Sequence, residues 1–130
     1  MIWGNLADAL YWSPGRRTEA TKNYQKALVI GKATLQVNAD DVLTLAYLAD
    51  YSIMVGDEES ANQYLGRALK LAPTNGEVLF RAAIVLNHLA KKDEAFSCLK
   101  QAIAVGYSKN IIRDTPDFAN IPVRTGSPLQ

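Results

Sequence analysis

The stretch VLTLAYLADYSIMVGDEESANQYLGRALKLAPTN, residues 42–75, carries apolar and small residues on either side of the turn Gly56-Asp57. On each side they recur every three or four positions, which places them on one face of an α-helix. The set before the turn is Leu45, Leu48, Ala49, Ser52 and Val55, and the set after it is Ala61, Leu65, Ala68 and Leu71. Pro73 follows the second set and ends the helix. The stretch therefore predicts a hairpin of two α-helices.

The same pattern returns 34 residues later, so the chain contains an internal repeat. The matching residues are Leu79, Ala82, Ala83, Leu86 and Leu89, then Ala95, Leu99, Ala102 and Val105 after a polar turn at 91–93. Alanines occupy equivalent positions in both copies, namely Ala49 and Ala83, Ala61 and Ala95, and Ala68 and Ala102. We expect the two helices of each hairpin to approach closely at these alanines.

An earlier copy is longer. Its first stripe is Trp3, Leu6, Ala7 and Leu10, its second is Ala20, Tyr24 and Ala27, and Ser13-Pro14-Gly15 separates them. Trp3 and Leu45 are 42 residues apart, eight more than the later spacing. We assign one extra residue to the turn and seven to the end of the second helix, which is close to two helical turns. This predicts that Leu28, Leu35 and Val37 stay near the buried face.

Local signals indicate where the helices begin and end. Thr74-Asn75-Gly76-Glu77 fits a capping box with Thr74 as the N-cap. Asp57, Glu58 and Glu59 place negative charge at the start of a helix, where the helix dipole favours it. Gly106 fits a helix C-terminus.

After the last hairpin, the sequence predicts a short capping segment. Ser108 can begin a helix through Arg113, and Thr115-Pro116-Asp117 fits another helical first turn. The apolar residues available to cover the last hairpin are Ile111, Ile112, Phe118 and Ile121.

Composition argues against several classes of function. The 130 residues are 48% hydrophobic with a net charge of +1, so no strong field attracts nucleic acid or anionic membrane. No stretch approaches the roughly 20 apolar residues of a membrane span, and we expect a cytoplasmic protein. The single histidine, His88, and single cysteine, Cys98, fall on different helices, and no glycine-rich phosphate loop occurs. We expect no enzyme activity, no metal site and no cofactor.

The repeats resemble the tetratricopeptide repeat in their motifs WxxLA, PGRxxEAxxxYxxAL, LxxLAxxxxxxGDxxxAxxxLxxALxLxP and AAxxLxxLxxxDEAxxxLxxAI. The resemblance implies an all-α fold, a right-handed superhelical stack of three helix hairpins with a short C-terminal capping helix. It places the repeats at about 2–40, 42–75 and 76–107, the cap at about 108–122, and a disordered tail at 123–130 of one domain spanning 1–122. The segment GYSKNIIRDTPDFANI is similar to the segment that closes such arrays in larger bacterial signalling proteins.

In tetratricopeptide arrays the first helices of successive hairpins line a concave groove that binds a protein or peptide. By register, the resemblance implies that the groove presents Asn5, Asp8, Trp12, Tyr47, Asp50, Met54, Arg81, Ile84, Asn87 and His88. The Lys and Asn positions of arrays that bind a chaperone's C-terminal carboxylate hold Gly4, Asp8, Ala46 and Asp50 here, so we expect a different ligand. Two carboxylates, Asp8 and Asp50, favour a basic or amide-rich segment with an apolar anchor.

Two functions stay open at this point. The first is a protein-interaction module that binds a peptide or helix in the groove, or docks on the effector domain of its own parent protein. The alternative is a structural or oligomerisation element, in which the first helix packs on a second copy or on a preceding repeat through Ile2, Trp3, Leu6 and Leu10.

Overall fold

The computed structural model describes residues 2–119, with side chains from Gly4 onward. Ile121, the end of the predicted cap, the tail at 123–130 and the side chains of Ile2 and Trp3 lie outside the described part. Within it, all regular structure is helical: α1 (Ile2–Tyr11), α2 (Arg17–Val37), α3 (Val42–Met54), α4 (Glu58–Leu71), α5 (Gly76–His88), α6 (Lys92–Ala104), α7 (Lys109–Asp114) and a 3₁₀ turn (Pro116–Phe118). None of these helices is long and apolar enough to cross a membrane.

The helices pack as consecutive antiparallel pairs. α1 packs on α2, α3 on α4 and α5 on α6, and α3 also packs on both α2 and α5. The 3₁₀ turn packs on α5. The predicted all-helical class is confirmed for the described residues, and the order of contacts is that of a helical repeat.

The paired alanines lie where the helices of each hairpin meet. Ala49, Ala61 and Ala68 in the middle hairpin are fully buried, and so are their counterparts Ala83, Ala95 and Ala102. Larger residues share their clusters, Leu45 that of Ala68 and Leu99 that of Ala83 and Ala95. Their full burial agrees with the expected close approach of the helices at these positions.

Side-chain caps fix most of the helix starts. Asp57 caps α4 by accepting a hydrogen bond from the Ser60 amide at 3.1 Å, and Ser108 caps α7 as expected. The predicted capping box is wrong by one residue, because the α5 cap is Asn75, whose side-chain oxygen accepts from the Val78 amide at 3.1 Å. α5 begins at Gly76, so Thr74 lies one position too early to reach the first free amides.

The longer first hairpin differs from the prediction at two residues. Leu6, predicted in the apolar stripe of α1, is 44% exposed. Leu28 and Gly31 on α2 are buried, and Leu35 is partly buried against the core. Val37 is 91% exposed, which corrects its predicted place on the buried face. It lies nine residues beyond Leu28, about two and a half helical turns, and so projects from the opposite side of α2.

Each hairpin turn needs one residue in the left-handed backbone region. Gly15 and Gly56 supply it in the first two hairpins, with φ of 73° and 84°. In the third hairpin the equivalent residue is Ala90, with φ of 63°. An alanine therefore adopts a conformation that glycine adopts without steric cost.

Candidate functional site

A cleft of about 220 Å³ opens between the first helices of the hairpins and residues 114–119, which we call the C-terminal turn. We call it the central cleft; its lining residues are Asp8, Trp12, Asp50, Phe80, Arg81, Ile84, Asp114, Thr115, Pro116 and Asp117. Five of the ten residues predicted for the groove therefore meet here. They come from all three hairpins.

An ion pair at the base of the central cleft joins α3 to α5. Arg81 Nη1 donates to Asp50 Oδ2 at 2.6 Å, and these side chains are 15% and 3% exposed. Arg81 Nε also donates to Glu77 Oε1 at 3.1 Å, and the guanidinium lies 4.7 Å from the centroid of the Tyr47 ring. Asp50, which we expected on an open groove wall, is thus buried against a cation of its own chain.

Burial and the neighbouring cation act on this pair in opposite directions. Burial raises the pKa of Asp50 to about 7, although Arg81 lowers it. For Arg81, burial lowers the pKa, but Asp50 and Glu77 outweigh that effect and the net shift is upward. The guanidinium therefore stays charged, and the pair loses its double charge only when Asp50 takes up a proton.

The other carboxylate of the predicted wall, Asp8, is also engaged within the chain. The hydroxyl of Tyr24, a fully buried residue of α2, donates to Asp8 Oδ1 at 2.5 Å. Burial raises the pKa of Asp8, while the hydrogen bond from Tyr24 lowers it. Asp8 therefore connects α1 to α2 through its hydrogen bond with Tyr24, and it also lines the central cleft.

The C-terminal turn reaches the last two predicted groove residues. Asn87 Nδ2 donates to the backbone carbonyl of Asp117 at 2.5 Å, and His88 Nε2 lies 2.8 Å from Asp117 Oδ2. Trp12, Pro116 and Ala119 complete a second, open cleft beside these two residues. The chain's own turn therefore lies over the C-terminal end of α5.

Trp12 is the most exposed aromatic residue at the site. It lies just after α1, is 41% exposed, and borders both clefts. Its ring packs edge-on against Tyr11 at a centroid distance of 5.0 Å, and the Arg17 guanidinium lies 3.8 Å from the Tyr11 ring centroid. One side of the indole therefore packs on Tyr11, and the rest of the ring is accessible from the clefts.

The four remaining predicted residues differ in their exposure and in what they contact. Asn5 is exposed on α1, and Tyr47 stacks on Tyr51 with centroids 6.1 Å apart. Met54 is partly buried against the core, and Ile84, although it borders the central cleft, is itself buried beside Phe118.

Sequence reasoning missed the wall formed by Asp114 to Asp117. The proline at 116 indicated a turn, but the position of that turn over α5 depends on contacts of Asp117 with residues about 30 positions earlier. Local patterns carry no signal for such contacts.

Other reactive side chains are sparse at the site. Among the described residues no group of three histidine, cysteine or acidic side chains could hold a metal ion. Cys98 is half-buried on α6, and burial raises the pKa of its thiol.

Comparison with known proteins gives a distant similarity. No protein-family model matches the chain. Over 90 residues, 69% of this chain, it is 31% identical to Cellulose synthase operon protein C of Pseudomonas fluorescens (strain SBW25). The chain spans 7% of the length of that relative. Together with the helix packing, this distant similarity supports a helical repeat.

Proposed function

We propose that this chain is a tetratricopeptide-type module that binds a partner protein, with its three hairpins arranged as a right-handed superhelical stack. The observation that carries the proposal is the central cleft, which opens between the first helices and is bordered by the exposed indole of Trp12. Tryptophan is among the residue types that contribute most binding energy at protein interfaces. Binding rather than catalysis is the proposed role.

The chemistry of the central cleft favours a basic ligand with an apolar anchor. Four carboxylates line it, from Asp8, Asp50, Asp114 and Asp117, against the single guanidinium of Arg81. Two of these carboxylates are paired within the chain, Asp50 with Arg81 and Asp117 with His88. The other two, Asp8 and Asp114, favour cationic groups. Trp12 supplies an aromatic face on which a guanidinium or ammonium group can stack.

We place the module in a larger protein as a regulatory or scaffolding part. The similarity to a short piece of a cellulose synthase operon protein supports this, because that relative is far longer than the matched segment. The capping motif favours a bacterial signalling protein as the parent. The sequence of the adjoining reading frame would show whether the parent protein resembles the cellulose synthase operon protein or is a signalling protein.

The experiment uses a library of synthetic 12-residue peptides, half rich in Lys and Arg and half rich in Asp and Glu, with binding followed by fluorescence polarisation. We expect basic peptides that contain Leu or aromatic residues to bind, and Trp12→Ala to weaken their binding about tenfold. The control is Val29→Ala, a change at an exposed residue of α2 outside both clefts. Absence of binding peptides, or equal binding by Trp12→Ala, would reject the proposal.

A second function is favoured by exposed apolar residues on the first hairpin. Leu6 on α1 and Val29, Ile30 and Val37 on α2 are all at least 44% exposed. Large exposed apolar patches mark interaction sites, and these four residues are the candidates for such a patch. Leu10, which was expected at this interface, is buried. If the hairpin is an oligomerisation element, light scattering detects a concentration-dependent dimer that Leu6→Glu with Ile30→Glu abolishes. A monomer at every concentration excludes this alternative.

A further inference from the structure

The C-terminal turn is attached to α5 by both polar and apolar contacts. The backbone carbonyl of Asp117 accepts a hydrogen bond from Asn87 Nδ2 at 2.5 Å. Its carboxylate oxygen Oδ2 lies 2.8 Å from His88 Nε2. Phe118 is fully buried, with its ring edge-on to Phe80 at a centroid distance of 5.8 Å. Residues of this turn form one wall of the central cleft.

The His88–Asp117 contact is the titratable part of this attachment. The side chains are 23% and 11% exposed, so solvent screens the interaction only partly. His88 is the only histidine in the chain and therefore the only side chain whose ordinary pKa lies between pH 5 and 8.

Charged groups from three elements act on His88. Asp117 on the turn and Asp50 on α3 favour its protonated form, whereas Arg17 on α2 opposes it. The ring of Tyr11 from α1 packs edge-on at a centroid distance of 6.5 Å. The hydrogen bond with Asp117 has the largest effect on the pKa of His88, which is raised despite partial burial.

We propose that His88 and Asp117 form a pH-dependent latch, in which the protonated imidazole holds the C-terminal turn in place as a wall of the central cleft. When the imidazole loses its proton, the ion pair becomes a neutral hydrogen bond and the turn is held less tightly. The latch does not depend on ligand binding. Only its consequence, a change in the cleft available to a partner, rests on the proposed function.

Thermodynamic linkage between protonation of His88 and docking of the turn determines how pH changes the docking equilibrium. A histidine whose pKa is higher in the docked turn than in the released turn stabilises docking below its ordinary pKa. This stabilisation is lost as the pH rises through the pKa of the docked state. Each pKa unit contributed by docking corresponds to about a tenfold change in the docking equilibrium between acid and base.

The first test is an NMR titration of His88 in the full chain, where a single histidine gives a single set of imidazole signals. We expect a pKa above the ordinary histidine value in the wild type and a fall towards that value in Asp117→Asn. This variant keeps the backbone carbonyl that Asn87 contacts and the buried Phe118. The matched control is Asp114→Asn, which removes an equal charge from the cleft wall and should leave the pKa of His88 unchanged. Equal pKa values in wild type and Asp117→Asn would overturn the proposal.

The second test needs no variant to establish the effect. The amides of Phe118 and Ala119 donate to the carbonyls of Thr115 and Pro116, so their hydrogen-exchange protection reports the turn. After correction for intrinsic exchange, we expect their protection to fall from pH 5.5 to 8.5 with a midpoint at the pKa of His88. In His88→Gln this fall should be much smaller, and what remains is assigned to Asp50, whose pKa burial raises to about 7. Wild-type protection that is independent of pH contradicts the latch, whether or not the cleft binds a peptide.

Discussion

Ala90 is the residue at which sequence and backbone conformation conflict most clearly. Its φ of 63° lies in the left-handed region, which costs an L-residue roughly 1–2 kcal/mol. The side chain is exposed, so a substitution changes backbone energetics with little effect on packing. We expect Ala90→Gly to raise the free energy of unfolding by about 0.5–1 kcal/mol. This value is what remains of the relieved strain once the larger conformational entropy of glycine in the unfolded chain is subtracted. Urea denaturation followed by circular dichroism measures this.

The control for Ala90→Gly is Ala33→Gly, at an exposed position inside α2. Here glycine should lower the free energy of unfolding by about 0.5–1 kcal/mol, because alanine is the better helix former. A similar loss of stability in both variants would show that the turn at residue 90 stores no strain.

Gly31 is required by the close approach of α2 to α3. A β-carbon at this position would lie 2.6 Å from Leu48 Cδ2, and Leu48 is fully buried. Gly31→Ala therefore forces a shift in the core, and we expect it to lower the free energy of unfolding by about 1–3 kcal/mol. Thermal unfolding of this variant and of Gly66→Ala tests the claim. Gly66 lies in α4 with no atom within 4 Å of an added β-carbon, so there alanine should stabilise the helix.

At the residue scale, the sequence predicts small buried residues better than buried charges. The alanines at equivalent repeat positions follow from periodicity alone, because spacing determines which face of a helix they occupy. Asp50 follows the same register, but its burial depends on Arg81, which lies 31 residues away and turns into the cleft. An expected binding carboxylate is therefore also a structural one.

At the scale of elements, the Asp50–Arg81 pair connects the second and third hairpins. Removing the cation with Arg81→Met leaves the carboxylate of Asp50 buried without its partner. We expect a loss of about 3 kcal/mol in the free energy of unfolding at pH 8. The loss should be smaller at pH 5, because Arg81 lowers the pKa of Asp50 and its removal lets the buried carboxyl take up a proton. A carboxyl whose pKa is raised in the folded state makes stability fall as the pH rises.

Urea denaturation at the two pH values separates this effect from a loss of packing. The control is Glu77→Gln, which keeps the contact between Asp50 and Arg81 and should show little of this pH dependence. A loss in Arg81→Met that is equal at pH 5 and pH 8 would mean that the guanidinium stabilises through its contact with the Tyr47 ring rather than through Asp50.

The order of the helices could be read from the sequence, and so could the apolar contact of Ile112 and Phe118 with the last hairpin. Ile111, which was expected to cover the same hairpin, is 50% exposed. The polar contacts of the C-terminal turn could not be predicted. Turn residues and apolar periodicity are local, and they located the three hairpins and the start of α7. The polar contacts of the 3₁₀ turn are made with Asn87 and His88, whose side chains had been assigned to a ligand. Polar groups at a groove can bind a partner or their own chain, and residue type alone does not distinguish these outcomes.

For the whole molecule, the C-terminal segment covers the apolar end of the third hairpin. Ile112 and Phe118 are buried in one cluster with Phe80, Ile84 and Leu99. Full burial of two such side chains stabilises by roughly 3–6 kcal/mol, a large share of the stability of a typical domain. We therefore expect a chain that ends at Tyr107 to be strongly destabilised.

The effect should extend beyond the third hairpin, because the hairpins of a repeat protein are stabilised by their neighbours. α5 packs on α3, so partial exposure of Phe80 and Ile84 weakens the surface on which the second hairpin packs. Hydrogen exchange of the α3 amides in the truncated chain measures this spread, and we expect protection there to fall together with protection in α5. A chain that ends at Ala119 keeps every described contact and is the control. If truncation at Tyr107 lowers protection in α5 and α6 but leaves α3 unchanged, the hairpins are energetically independent and the segment stabilises only its own neighbour.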